Sequence, residues 1–151
     1  MTKHIVEILL FIPAALYTGY LLFISEVVQK VMNRQDEATF QNFINTLSKT
    51  AQKSPYAIFV GFITLFGMIP YFIIYGFSNW FYAGGLIVFI ATSIISKSQN
   101  GSIYERIALL DGTDRDQLNN ERIKLQSANK LRAYVQSVSL ALMAIGLLGI
   151  V

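Results

Sequence analysis

The stretch KSQNGSIYERIALLDGTDRDQLNNERIKLQSANKLR, residues 97–132, decides the fold. It holds seven of the chain's twelve Lys and Arg and five of its nine Asp and Glu. On both sides the sequence is apolar enough to live in lipid. The stretch therefore reads as a polar cap between two membrane-crossing runs, and the expected fold is all-α: an integral membrane four-helix bundle with a cytoplasmic helical cap.

Composition agrees. Hydrophobic residues make up 54% of the 151 and charged residues 14%, against about 25% charged in soluble domains. Mean hydropathy is +0.48. A chain this short cannot fold so much apolar surface away from water, and lipid is its natural solvent. The chain has no cysteine, so disulfides, thiolate chemistry and Cys-based metal sites are excluded. Its one histidine, His4, stands beside the N-terminus without a second His or clustered carboxylates. No metal and no cofactor are expected. The net charge of +3 is modest and the basic residues are not interleaved with stacking aromatics, so nucleic acid is not an expected partner. There is no P-loop, Rossmann fingerprint or nucleophile elbow.

Four spans are expected, at about 5–25, 56–77, 80–96 and 134–151, within a single domain, 1–151. Lys3 and Ala14-Ala15 imitate a signal peptide, but the apolar run continues through Tyr20-Leu21-Leu22-Phe23-Ile24, which favours a retained anchor. Pro13 would free the Leu9 carbonyl and Pro70 would kink the second span. The polar segment 33–54 places Phe40, Phe43, Ile44, Leu47 and Ala51 on one face. It is either an amphipathic surface helix or the first helix prolonged out of the membrane. Ser54-Pro55 reads as an N-cap with proline at the first helical position. Gly76-Phe77-Ser78-Asn79 is a tight turn, flanked by Tyr75, Trp80 and Tyr82, that makes a hairpin of the second and third spans. In the second polar segment, 97–133, Ser102-Ile103-Tyr104-Glu105 matches a capping box. It would start a short helix that Asp111-Gly112 stops. Thr113 or Asp114 would cap a last long helix.

Nearly all Lys and Arg lie in 33–54 and 97–133, and only Lys3 lies at the other side. The positive-inside rule puts both segments in the cytoplasm and both termini outside, in the cell (inner) membrane.

Arg122, Gln126, Asn129, Arg132 and Gln136 fall within an arc of about 120° on the last helix. This polar stripe climbs from the cytoplasmic part into the membrane. It is either a solvated face that becomes a packing seam or a site; Gln136 in particular needs a buried partner. Asn100, at the exit of the third span, precedes a helix start whose N–H groups suit an anion, or is simply a capped turn. Glu7 and Glu26 lie 19 residues apart, about 28 Å along a helix, and cannot serve one substrate atom. Glu26 should pair with Lys30, and Glu7 should be interfacial. Small residues such as Gly67, Gly85, Ser139 and Gly146 suit close helix packing. A pocket edged by Tyr17, Tyr71 or Gln136 is the sharper reading.

Asn100 with Ile103-Tyr104, then Arg122 and Asn129-Lys130-Leu131-Arg132, complete a layout that resembles the anthrone-oxygenase-like four-helix membrane proteins, largely a domain-of-unknown-function family. Those proteins have four spans, an Asn-containing motif after the third and an Asn-x-x-Arg motif entering the fourth. The likeness covers nearly the whole chain. Where that family has a proline after the first Asn and a tryptophan ahead of the second, this chain has Gly101-Ser102 and Leu125-Gln126. The resemblance implies cofactor-free oxygenation of a polycyclic aromatic such as an anthrone. Asn129 and Arg132 would then stabilise the enolate.

Three functions are open, in order. The first is a non-catalytic membrane protein, structural or accessory, or a binder of a small hydrophobic or aromatic ligand. Its partners would be membrane lipids and either a second copy of itself or a membrane complex. The second is the oxygenase. The third is a subunit of an oligomeric transporter, disfavoured because no charge lies mid-span.

Overall fold

The computed structural model describes residues 2–111 and 113–149. The first apolar run forms α1, Thr2–Phe23, with Pro13 carried inside it. A π-helical turn, Ile24–Val28, and a last turn, α2, Gln29–Met32, continue the same rod. The first helix is thus prolonged beyond the expected span, but only as far as Met32.

Segment 33–54 supplies a helix of its own. Asp36 caps α3, Glu37–Lys53: its Oδ1 accepts from the Thr39 N–H at 3.0 Å and its Oδ2 from the Thr39 hydroxyl at 2.7 Å. The spacing of apolar residues is realised, since Phe40 and Ile44 are buried against Met32, Ile103, Ile107, Leu118 and Leu125. After an extended Ser54, α4, Pro55–Tyr75, opens on its proline and carries Pro70 within it.

The tight turn forms as expected. Gly76 takes φ +55°, which a side chain would resist, and the Ser78 N–H bonds to the Tyr75 carbonyl at 3.2 Å. Asn79 then caps α5, Trp80–Ile95, through a 3.2 Å bond from the Tyr82 N–H.

The capping box at Ser102 does not form. A π-helical segment, Ser96–Gly101, joins α5 directly to α6, Ser102–Leu109. Ser102 has helical angles, φ −64° and ψ −33°, and its hydroxyl bonds backwards to the carbonyls of Ser98 and Gln99 at 3.0 and 2.9 Å. A cap needs a free first turn, and here the preceding turn already takes those N–H groups. Both readings of the Asn100 region, the capped turn and the anion site, fall with it, because no free helix start stands at Ser102. At the end of α6, Leu110 is extended, and Gly112, part of the expected stop, lies outside the described residues.

Asp114, rather than Thr113, caps α7, Arg115–Leu148, accepting from the Gln117 N–H at 3.2 Å. Its 34 residues extend about 51 Å. The expected end of the last span, at 150–151, lies outside the described residues.

The chain is all-helical over the described residues, and four rods are long and apolar enough to cross a membrane: Lys3–Met32, Ile58–Tyr75, Trp80–Leu109 and Arg115–Leu148. They lie in the order α4, α1, α7, α5, with α5 against α7 as the most extensive interface. Gly85 and Gly146 explain it. A Cβ on Gly85 would meet the Ser139 carbonyl oxygen at 2.8 Å, and one on Gly146 the Tyr82 nitrogen at 2.7 Å. The two backbones therefore touch, and the Ser139 hydroxyl donates to the Gly85 carbonyl at 2.7 Å. By contrast α4 and α5, joined by the turn, make only slight contact, and the Tyr71 and Tyr82 rings meet at 5.3 Å. Large apolar side chains remain exposed along the rods, among them Phe66, Ile73, Ile74, Trp80 and Ile94.

Candidate functional site

The two π-helical segments face one residue of α7. Gln29 comes directly after the first and Asn100 lies within the second, and both amides reach Asn129. A π turn inserts a residue and rotates the remainder of the helix by about 100°. That rotation aims the Gln29 and Asn100 side chains inward, toward α7. Asn129 is the hub. Its Oδ1 accepts from Asn100 Nδ2 at 2.8 Å and from Arg132 Nη2 at 3.1 Å, and its Nδ2 donates to Gln29 Oε1 at 2.9 Å. The relay continues outward, with Gln29 Nε2 donating to Asn33 Oδ1 at 2.9 Å and Asn33 Nδ2 to Gln126 Oε1 at 2.8 Å. All of it is buried except its outer end at Asn33 and Gln126. Deep amides bonded in series hold one another's orientation.

The stripe read from the sequence is therefore mostly one object. Asn100, Gln126, Asn129 and Arg132 belong to the same network. Gln136 is fully buried and donates separately to the Thr18 hydroxyl at 3.3 Å. Arg122 is not brought to the hub; its guanidinium lies 4.5 Å over the Phe40 ring. Sequence reasoning missed Gln29, Asn33 and Thr18. The available signal was the amide pair Gln29 and Asn33, one turn apart just beyond the first span.

The network is incomplete at its inner edge. Asn100 Oδ1, Arg132 Nε and Gln136 Oε1 are buried without a hydrogen-bond partner. Arg132 is only 8% exposed, and no ion pair joins it among the described residues. Beside it opens a cavity of about 250 Å³, lined by Tyr20, Ile24, Leu47, Ser48, Ala51, Tyr104 and Arg132. A neighbouring cavity of about 260 Å³ shares Ser48 and Tyr104 and continues past Asn45, Lys49 and Glu105. None of the cavities described is edged by Tyr17, Tyr71 or Gln136. Tyr17 packs against Phe89 with ring centres 5.5 Å apart, and the Tyr71 hydroxyl is spent on Glu7.

Glu7, expected at the interface, is 2% exposed within the protein. Its Oε1 accepts from the Tyr71 hydroxyl at 2.9 Å and Asn79 Nδ2 at 3.1 Å, with Lys3 Nζ at 3.8 Å. His4 Nδ1 lies 3.5 Å from the other oxygen. Glu26 does pair with Lys30, at 3.2 Å. Among the described residues no cluster of His, Asp and Glu could hold a metal. No known family, curated protein or solved structure matches the chain, so the site is read from its geometry alone.

Proposed function

We propose that this is an integral membrane protein that binds, without transforming, a small ligand carrying an anionic group on an apolar or aromatic body. The observation that carries the reading is the buried Arg132 guanidinium at a cavity wall with no carboxylate opposite it. An uncompensated buried charge is expensive, and a bound anion offsets that expense. Tyr20, Ile24, Leu47 and Tyr104 supply apolar and aromatic walls, and Arg132 and Ser48 supply donors. At about 250 Å³ the cavity lies below the range of roughly 300–1,000 Å³ for drug-sized ligands; it suits a single ring.

The alternative, oxygenation of a polycyclic aromatic, would use Asn129 and Arg132 to hold an enolate. It also needs a base beside the reacting carbon. No carboxylate or histidine lines the Arg132 cavity, and Glu105 lines only its neighbour, which favours binding. Transport is less favoured still, because Leu10, Ala14, Phe89 and Met143 fill the bundle between Glu7 and Gln136.

In this reading the exposed apolar belts face lipid. The segments 33–54 and 97–133 lie in the cytoplasm, and both termini lie outside the cell membrane. A reporter fused after residue 151 should score outside and one inserted at 111–114 cytoplasmic; the opposite pattern overturns the orientation. Ligand binding is tested by fluorine NMR of para-fluorobenzoate with the detergent-solubilised chain. Broadening should appear with the wild type, vanish with Arg132→Gln, and be absent for neutral para-fluorobenzamide. Equal broadening by benzoate and benzamide would refute an anion site at Arg132.

A further inference from the structure

A second concave surface lies on the opposite flank of the α5–α6 rod from the Arg132 cavity. A groove of about 440 Å³ runs between α6 and α7, with Ile103 and Ala128 at its floor and Ser98, Arg106, Lys124 and Ser127 around it. A second hollow of about 540 Å³, lined by Ile90, Ser93, Ile94, Lys97 and Ser98, shares Ser98 with it. Along the α5 rod Ile90, Ile94 and Lys97 stand four and three residues apart, so they share one face. The surface is apolar toward the middle of the rod and basic toward its polar end.

The charges are unbalanced. Glu121 takes both Arg106, at 2.8 Å, and Lys124, at 2.6 Å. Two cations on one carboxylate leave one positive charge over. Lys97 adds a second, with no ion pair among the described residues. Ser127 and the Gln99 side chain lie in the same groove lining. A surplus of positive charge directly above an apolar channel has the chemistry of a phospholipid's two ends.

We infer that this groove holds one anionic phospholipid. Its phosphate sits among Lys97, Arg106 and Lys124, and one acyl chain lies along Ile90 and Ile94. Charge complementarity selects it over a zwitterionic lipid, and the apolar lower hollow selects it over a soluble phosphate. The inference rests on the membrane insertion proposed above and is independent of a ligand at Arg132.

The test uses the full chain in detergent, titrated with dioctanoyl phosphatidylglycerol or dioctanoyl phosphatidylcholine and read by native mass spectrometry. Phosphatidylglycerol should bind with one copy per chain, and phosphatidylcholine several-fold more weakly. Each neutralised lysine, Lys97→Gln or Lys124→Gln, should weaken phosphatidylglycerol about fivefold, from roughly 1 kcal/mol per basic residue near an anionic lipid. Ser127→Phe, which fills the groove without touching a charge, should also weaken it, and Arg132→Gln should not. Equal binding of both lipids, binding indifferent to Ser127→Phe, or a chain dimer that excludes lipid would each overturn the inference. Alkaline carbonate extraction of cell membranes separates the two failures. A chain released from membranes defeats the insertion reading. A chain retained there that discriminates no lipid defeats the groove alone.

Discussion

Replacing Asn129 by alanine should be the most damaging change to the polar network. It strands Gln29 Oε1, Asn100 Nδ2 and Arg132 Nη2, which Asn129 bonds at 2.9, 2.8 and 3.1 Å. A stranded neutral group costs about 1 kcal/mol and a stranded guanidinium about 2, giving about 4 kcal/mol in all. Asn100→Ala removes one donor, and Asn129 Oδ1 still accepts from Arg132; the loss should be about 1 kcal/mol. In the double variant the Asn100 donor is no longer there to be stranded. The loss should stay near 4 rather than reach 5, a coupling of about 1 kcal/mol. Equilibrium unfolding by SDS in mixed micelles measures all three. Losses that add to within about 0.3 kcal/mol would refute the contact. Asn129→Asp supplies a control on the charge. It keeps an acceptor for Asn100 and Arg132 and neutralises the guanidinium, so it should lose less than alanine while abolishing benzoate binding. A loss equal to alanine's would show that Arg132 does not lie against residue 129.

Gly146→Ala places a methyl 2.7 Å from the Tyr82 nitrogen and 2.8 Å from Asn79 Oδ1. Forcing α5 and α7 apart should destabilise by about 1–3 kcal/mol in the same assay. Ser102→Ala should be nearly silent, within about 0.5 kcal/mol, because Ser102 is mid-helix and its hydroxyl only bonds backwards; amide exchange at 103–107 reads it. Asp36 is held below its ordinary value of 3.8 by the Thr39 backbone N–H and then the Thr39 hydroxyl. Its capping contribution is therefore complete above that value and is lost as pH falls through the lower folded one. Exchange at the first turn of α3 should accelerate below pH 3.8 in the wild type and be faster at neutral pH, with no such step, in Asp36→Ala.

The fold was legible where a local pattern and a burial requirement agree. The four apolar runs, the Gly76 turn, a cap at Thr113 or Asp114 and the face of α3 each rest on residues within a few positions of one another. The Ser102 box failed because a capping motif states only that a serine could cap. Whether the preceding turn is already helical depends on the π-helical segment, and nothing in Ser96-Lys97-Ser98-Gln99 announces a helix with one residue to spare. The same device hid half of the site. The stripe on α7 comes from an unbroken 3.6-residue period, so Asn129 and Arg132 could be placed on one face. Gln29 could not be placed opposite them by counting from 5, because the π turn at Ile24–Val28 shifts the register in between.

Glu7 and Arg132 together show how a buried charge can be read. Both are largely hidden from solvent. Glu7 is saturated. Two donors hold one oxygen, Lys3 and His4 approach within 3.8 and 3.5 Å, and the Tyr82 hydroxyl donates to its carbonyl at 2.5 Å. Through Asn79, which also bonds the Gly146 carbonyl at 3.1 Å, it ties α1 to α4, α5 and α7. With two donors on its Oε1, His4 beside its other oxygen and no cavity beside it among those described, Glu7 latches the turn end of the bundle. Arg132 has one hydrogen bond, to Asn129, a free Nε and a cavity against it. The two differ in satisfaction rather than in burial, and the binding proposed at Arg132 rests on that difference.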